Sequence, residues 1–118
     1  MSETALQALQ LANHYLSIDQ PQRALETLAR ADEGLLDSAL YWELRSRALR
    51  SLERHAEAGQ AAARGLAVDG EDVDLLRLRA DSLAELGQLP EAERAILRAL
   101  ALQPEHVELL CSYALIVA

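Results

Sequence analysis

The side chains that could carry out catalysis or bind a metal ion are few and scattered along the chain. The histidines, His14, His55 and His106, never stand four residues apart, the spacing that directs two imidazoles to one metal ion on a helix. We interpret His14 as a partly covered packing residue and the other two as solvated residues near turns. Cys111 has no second thiol and no plausible base nearby, so we interpret it as a small apolar filler. All five glycines are isolated, and paired carboxylates such as those in 91–93 do not face each other on a helix. The sequence therefore predicts no enzyme, no cofactor and no metal site.

The composition is that of an all-helical protein. Of 118 residues, 25 are Leu and 22 are Ala, and Phe is absent. Leu and Ala favour helices, whereas strands favour the β-branched and aromatic residues that are scarce here. The net charge of −8 argues against general binding to nucleic acid. The longest uncharged apolar run, Leu109 to Ala118, is too short to span a membrane. One cysteine and a start without the basic residues of a signal peptide predict a cytoplasmic protein.

A sequence repeat organises these helices. Its units are 5–38, 39–72 and 73–106, here called units one, two and three, followed by a partial fourth repeat or capping helix, 107–118. Shifting the sequence by one unit places small residues on small ones and large apolar residues on large ones, without a gap. The matching columns include Ala24, Ala58 and Ala92; Ala31, Gly65 and Ala99; Ala12, Ser46, Ala80 and Ala114; and Ala8, Trp42, Leu76 and Leu110.

Each unit is predicted to form two helices. In unit one, Thr4 caps a helix that runs to about Ile18, and Asp19 starts a second helix with Pro21 in its first turn. Turns between units are expected at Glu33–Gly34 and Asp69–Gly70.

The helix boundaries predicted for unit three are the clearest. Asp72 opens a helix that Gly87 closes, and Pro90 lies in the first turn of the next. Pro104 opens a seventh helix, expected from Glu105.

Unit three resembles the tetratricopeptide repeat. Leu76 stands at the family's Trp position, Ala80 at its small position, Gly87 at its helix break and Pro104 at its closing proline, and unit two carries the Trp itself, Trp42. Arg45 and Arg79 depart from the family's usual Leu, and units one and two lack the closing proline. The resemblance covers nearly the whole chain. It implies a single all-α domain over 1–118, a right-handed α-α superhelix of three helix-turn-helix repeats plus a terminal helix.

The resemblance also implies a binding surface, because the first helix of each repeat lines a concave groove in this family. The partner-binding residues that it indicates are Leu9, Asn13, Arg47, Arg50, Arg77 and Asp81. Arginine forks bind carboxylates and phosphates, so the three arginines are candidates for an anion pocket. Glu43 stands four residues before Arg47, and Arg77 four before Asp81, which equally suits ordinary ion pairs on a solvated helix face.

One subfamily of these domains binds the acidic C-termini of chaperones through a carboxylate clamp of Lys, Asn and Arg. At the clamp positions this chain has Leu9, Asn13, Leu44, Asp74 and Leu78. Only Asn13 matches, and Asp74 would repel a carboxylate. Binding to chaperone tails is therefore disfavoured.

The last helix is apolar on every side after Glu108, so one packed face does not cover it. We expect either that the chain is cut from a longer protein whose next helix covers it, or that another copy does. The candidates for self-association are Leu109, Leu110, Tyr113, Ile116 and Val117.

Three functions remain open. The first is a protein-protein interaction module that binds a peptide or helix of an unidentified partner protein in its groove, without catalysis. The second is the regulatory or substrate-recruiting part of a larger enzyme, and the third is a scaffold that forms homo-oligomers.

Overall fold

Seven helices form the part of the chain that the computed structural model describes, residues 3–31 and 34–118. No strand occurs in these two ranges, so the all-α prediction is confirmed. The predicted turn residue Glu33 lies outside the described residues. The helices are α1 (Glu3–Ser17), α2 (Pro21–Ala29), α3 (Ala39–Ser51), α4 (His55–Val68), α5 (Val73–Glu85), α6 (Leu89–Leu102) and α7 (Val107–Val117).

The turn inside each helix pair has the same backbone geometry. Asp19, Glu53 and Gly87, which occupy one column of the repeat, have φ angles of 59°, 61° and 80°, in the left-handed region. The residue after each of them donates its N–H to the carbonyl five residues earlier, with N–O distances of 2.8, 2.9 and 2.9 Å. This is the Schellman motif, which satisfies carbonyls at the end of a helix and sends the chain back along it.

Several predicted helix ends are confirmed. The Asp72 carboxylate accepts the N–H of Leu75 at 3.1 Å and caps α5, and Gly87 stands in the turn after that helix. Pro21 and Pro90 lie in the first turns of α2 and α6, where a proline's missing N–H has no partner to lose.

Three predicted helix starts are wrong. The first helix begins before Thr4, which therefore lies in its first turn. Asp19 does not cap α2, because its left-handed backbone belongs to the turn, and Gln20 takes the capping position. The last helix begins later than expected, at Val107, and leaves Pro104 in the turn before it.

Small residues at the helix contacts allow the backbones to approach closely. Ala24, Ala58 and Ala92, from one column of the repeat, are all fully buried. Ser46 is buried beside them, and its hydroxyl donates to the carbonyl of Ala58 at 2.8 Å. Gly65 leaves no room for a Cβ, which would lie 2.8 Å from Trp42 Cβ. These contacts join each helix pair and each unit to the next.

The odd-numbered helices form one continuous surface. α1 contacts α3, α3 contacts α5 and α5 contacts α7, whereas α2, α4 and α6 make no comparably close contact with one another among the described residues. A row of helices that lie closer together than the opposite row forms the inner side of a curved stack. We call the surface of α1, α3, α5 and α7 on this side the groove. The whole stack measures 42 × 25 × 21 Å. None of the described helices has the length and apolar character needed to cross a membrane.

Candidate functional site

The groove changes character along its length. On α1, Leu6 is 48% exposed, and on α3 Leu40, at the matching position of the repeat, is 47% exposed, so the first part of the groove is apolar. Beyond them, α3 presents Glu43, Arg47 and Arg50 at spacings of four and three residues, which place all three on one face of the helix. The groove therefore offers two apolar side chains followed by a mixed charged surface.

The structure brings the three predicted arginines together. Arg47, Arg50 and Arg77 line a pocket of about 280 Å³ between α3 and α5, with Ser51 and Leu78 completing its wall. The pocket exists because α3 and α5 lie side by side, so residues 27 to 30 positions apart in the sequence reach the same space. Sequence spacing alone could not show this contact.

Asp81 joins two of these arginines. Its Oδ2 atom lies 3.2 Å from Arg50 Nη1 on the neighbouring helix and 3.7 Å from Arg77 Nη1 on its own helix. Its side chain is only 13% exposed, so these pairs are less screened by water than surface ion pairs. The pair of Arg77 with Asp81 that the spacing suggested is thus formed, together with a contact between helices that the spacing did not suggest.

Part of this network is left without hydrogen bonds. Arg77 Nε is buried and has no hydrogen-bond partner among the residues that the structure describes. The carboxylate oxygen Glu108 Oε2 lies 3.6 Å from it, which is too long for a hydrogen bond. Arg47 forms no ion pair within 4.0 Å in the described part of the chain. Arg47 therefore retains donors for an anion from outside.

Acidic groups flank the arginines on the side of the helix N-termini. Burial raises the pKa of Glu43, and the negative charges of Asp74 and Asp72 raise it further, while Arg47 and Arg77 lower it. The charged form of Glu43 is therefore less favoured in the folded protein than in the unfolded chain. Glu43 and Asp74 give the groove a negative segment next to the positive pocket.

Unit one contributes less to the groove than predicted. Leu9 is 3% exposed and belongs to the core, because α1 turns this position toward the next unit, so its predicted role in partner binding is wrong. Asn13 is exposed. Two of the clamp positions, Leu44 and Leu78, are each 1% exposed and also lie in the core.

The terminal helix α7 is covered on one side only. Leu109 and Ile116, two of the predicted self-association residues, are 0% and 6% exposed and pack into the core of unit three. The prediction is wrong for them, because they point toward α5 and α6. Tyr113 is half-buried against the same core. Leu110 and Val117 are 46% and 47% exposed.

The repeat explains why these two side chains are uncovered. Leu110, Ala114 and Val117 follow Leu76, Ala80 and Leu83 by one repeat length. In unit three, Leu76, Ala80 and Leu83 are 2%, 0% and 6% exposed. They are buried because they pack in one cluster with residues of α6, which are Ala92, Ile96 and Ala99. In the described structure no helix follows α7 to cover the matching face, which we call the outer face of α7.

The histidines and the cysteine do not form a site. His14 is exposed rather than partly covered, and Cys111 is exposed rather than a buried filler. His55 and His106 are half-buried beside the starts of α4 and α7. Within residues 3–31 and 34–118, no three His, Cys, Asp or Glu side chains come together in a way that could hold a metal ion.

Sequence reasoning did not include two residues of this surface. Glu108 reaches Arg77, and Leu115 is 81% exposed on α7. Both occupy groove positions of the repeat, since Glu108 matches Asp74 and Leu115 matches Asp81 in the preceding unit. Extending the repeat register into the last helix would have found them.

One family model matches part of the chain. Residues 73–116 match the family model of the tetratricopeptide repeat. No curated protein matches the chain.

Solved structures resemble the whole stack. One is the first tetratricopeptide-repeat domain of Spaghetti (RPAP3) bound to the HSP90 peptide SRMEEVD, with 20% identity, a TM-score of 0.93 and coverage of 99% of this chain and 93% of that one. Another is the second such domain of human RPAP3 in complex with the HSP70 peptide SGPTIEEVD, with 21% identity, a TM-score of 0.91 and coverage of 98% and 96%. A third is the domain of Arabidopsis OM64, with 20% identity, a TM-score of 0.92 and coverage of 97% and 94%. At these identities the likeness establishes the fold.

Proposed function

We propose that this chain, a tetratricopeptide-repeat domain by its fold and by the sequence of residues 73–116, binds an extended peptide or a single helix of a partner protein in its groove. The observation that carries the proposal is the pocket of Arg47, Arg50 and Arg77 between α3 and α5. An acidic side chain or a terminal carboxylate of the partner occupies this pocket, and apolar side chains of the partner contact Leu6 and Leu40. No catalytic step is part of the proposal.

The structural neighbours support a peptide as the ligand, because two of them are described as complexes with chaperone peptides. The side chains of this groove favour a different peptide. Leu44 and Leu78 are buried at positions where the clamp has polar side chains, and Asp74 adds a negative charge. The arginines of the pocket stand at positions other than those of the clamp, so we propose partners other than chaperone tails. A reducing compartment such as the cytoplasm suits a chain with one exposed cysteine.

The test is selection of ligands from a library of displayed random peptides, followed by measurement of their dissociation constants. We expect peptides with Asp or Glu, or an acidic C-terminus, to be enriched. The double variant Arg47→Gln and Arg50→Gln should weaken their binding at least about tenfold, the effect of losing one charge-assisted hydrogen bond. Higher salt should weaken binding to the wild-type chain in the same direction.

A charge-matched control separates the pocket from general electrostatics. Arg30 and Arg54 are exposed and lie outside the groove pocket, so Arg30→Gln with Arg54→Gln removes the same charge elsewhere. Selected peptides should bind this variant as they bind the wild-type chain. Equal weakening in both double variants, or a library that yields no acidic peptides, would refute the proposal.

The outer face of α7 supports a second candidate, a contact with another helix. This face consists of Leu110, Ala114 and Val117, which match the residues of α5 that pack against α6 in unit three. No described helix covers it. We propose that a second copy of the chain covers this face through its own α7. Each copy has a net charge of −8, which opposes association in general. The α7 sequence has no charged side chain after Glu108, so two copies can meet at this face without bringing charged side chains together. This is the homo-oligomer among the functions considered above.

A further inference from the structure

A second arginine-lined pocket lies on the other side of α5. It has a volume of about 260 Å³ and lies between α5 and α6. Arg79, in its wall, follows the groove residue Arg77 by two positions, which is a rotation of about 200° around a helix. The two pockets therefore open on opposite sides of the stack. The residues that line the second one are Leu76, Arg79, Leu83, Glu91, Arg94, Ala95 and Arg98.

Unit two carries the same pocket at the matching positions of the repeat, with a volume of about 230 Å³. There the charged side chains have partners within the chain. Arg45 Nη1 donates to the hydroxyl of Tyr41 at 3.1 Å, and the guanidinium of Arg64 lies 5.4 Å from the centre of the Trp42 ring. Its carboxylate, Glu57, accepts two hydrogen bonds from a neighbouring arginine, at 2.9 and 2.6 Å. The pocket of unit two is thus satisfied from within the chain.

Unit three has lost each of these internal partners. Leu75 and Leu76 replace Tyr41 and Trp42, and within residues 3–31 and 34–118 the arginines of this pocket have no aromatic or phenolic contact. Arg79 is left with one long contact, from Nη1 to the carbonyl of Gly59 at 3.4 Å.

A third arginine increases the charge. Arg94 stands where unit two has Gln60, one helical turn before Arg98, at a spacing where like charges repel. Both side chains are exposed, and neither forms a hydrogen bond or ion pair within the described residues. With Glu91 as the single acidic residue in its lining, the pocket has a formal charge of +2 in a chain of net charge −8.

We propose that this pocket binds a phosphate monoester. At neutral pH such a group has a charge of about −1.5 to −2, which matches the charge of the pocket. Its oxygens accept paired hydrogen bonds from the guanidinium groups of Arg79, Arg94 and Arg98. The buried side chains of Leu76 and Leu83 form an apolar floor for the carbon atoms next to the phosphate. The site is independent of the peptide site in the groove.

Inorganic phosphate is the first probe. It is titrated into ¹⁵N-labelled protein at constant ionic strength, with chloride as the competing anion, and the Nε–H signals of the arginines are followed by NMR. We expect saturable shifts at Arg94 and Arg98. The variants Arg94→Gln and Arg98→Gln, which keep an exposed polar side chain, should each weaken binding at this site at least about tenfold.

Two variants serve as controls. Arg64→Gln changes the position in unit two that matches Arg98, and Arg50→Gln changes the groove pocket. Neither should alter the shifts at Arg94 and Arg98. If phosphate gives no saturable shift at these two residues, the proposal is wrong. It is also wrong if the shift of the remaining arginine is unchanged, at Arg98 in Arg94→Gln and at Arg94 in Arg98→Gln. Neither result depends on what the groove binds.

The source of the phosphate is then determined with O-phosphoserine and with a short peptide that contains phosphoserine. Tighter binding of the peptide, with additional shifts along α6, identifies a phosphorylated protein segment. Equal affinities identify a small phosphorylated molecule as sufficient. In both cases the unphosphorylated compound should leave the arginine signals unchanged.

Discussion

At the scale of single residues, two of the left-handed turns in this chain lack the glycine that backbone energetics favours there. A side chain with a Cβ is strained at positive φ, by about 1 kcal/mol, whereas glycine is not. Unit three has Gly87 in this turn, but units one and two have Asp19 and Glu53. The reversal of the chain is therefore maintained at two positions by the Schellman hydrogen bonds in spite of this strain.

Substitution of these residues should change stability in opposite directions. We expect Glu53→Gly to raise the free energy of unfolding by up to about 1 kcal/mol and Gly87→Ala to lower it by about 1 kcal/mol. Chain neighbours aside, no heavy atom in the described part of the chain lies within 4 Å of a Cβ added at Gly87. The loss of stability in Gly87→Ala would therefore reflect backbone strain alone. Urea unfolding of both variants measures this. A stabilising Gly87→Ala would contradict the account.

Glu43 predicts a dependence of stability on pH. Burial first, and then Asp74 and Asp72, raise the pKa of Glu43 in the folded protein. The protonated form of Glu43 is therefore the one that the fold favours. Its contribution to stability is fully present below the unfolded pKa and is lost as the pH rises through the folded pKa. Glu43→Gln should therefore be more stable than the wild-type chain at pH 7, and this difference should vanish below about pH 4. Unfolding measured across pH 3–8, with exposed Glu85→Gln as control, checks the sign. A difference that grows toward acid pH would contradict it.

At the scale of helices, the small residues of the repeat determine how closely neighbours pack. A Cβ on Gly65 would lie 2.8 Å from Trp42 Cβ and 2.7 Å from Leu75 Cδ1. The leucine can move, but the Cβ of Trp42 is fixed to the backbone of α3. Units one and three have Ala31 and Ala99 at this position, so the sequence alone does not show that alanine would fail in unit two.

Gly65→Ala should therefore destabilise the chain by about 1–3 kcal/mol through overpacking, and Ala58→Leu or Ala92→Leu should cost a similar amount. Gly34→Ala is the control, since no heavy atom of the described residues, chain neighbours aside, lies within 4 Å of a Cβ placed there. Thermal unfolding of these variants tests the prediction. If Gly65→Ala loses no more stability than Gly34→Ala, close packing at this contact is not required.

At the scale of the whole molecule, the stack ends on an apolar face. If a second copy covers the outer face of α7, sedimentation of the wild-type chain should give an apparent mass that rises with concentration above the 12.9 kDa of the monomer. Leu110→Glu and Val117→Glu should remain monomeric, because a charge in an apolar contact is costly. Leu97→Glu alters an equally exposed leucine, 44% accessible on α6, and should associate like the wild-type chain. A monomer at every concentration would refute this proposal.

The sequence by itself determined the helical class, the length of the repeat, the caps at Asp72 and Gly87 and the seams of small residues, because each of these depends on neighbours along the chain or on one repeated column. It also placed Arg47, Arg50 and Arg77 on helix faces that the structure brings to one pocket. Which side of each helix is covered was decided only by the tertiary structure. Leu9, Leu109 and Ile116 were expected on the surface and are buried. Burial depends on which helix lies opposite a residue, and the repeat pattern does not show which helix that is. The same reason applies to the second arginine pocket, whose charges stand out only when units two and three are compared in three dimensions.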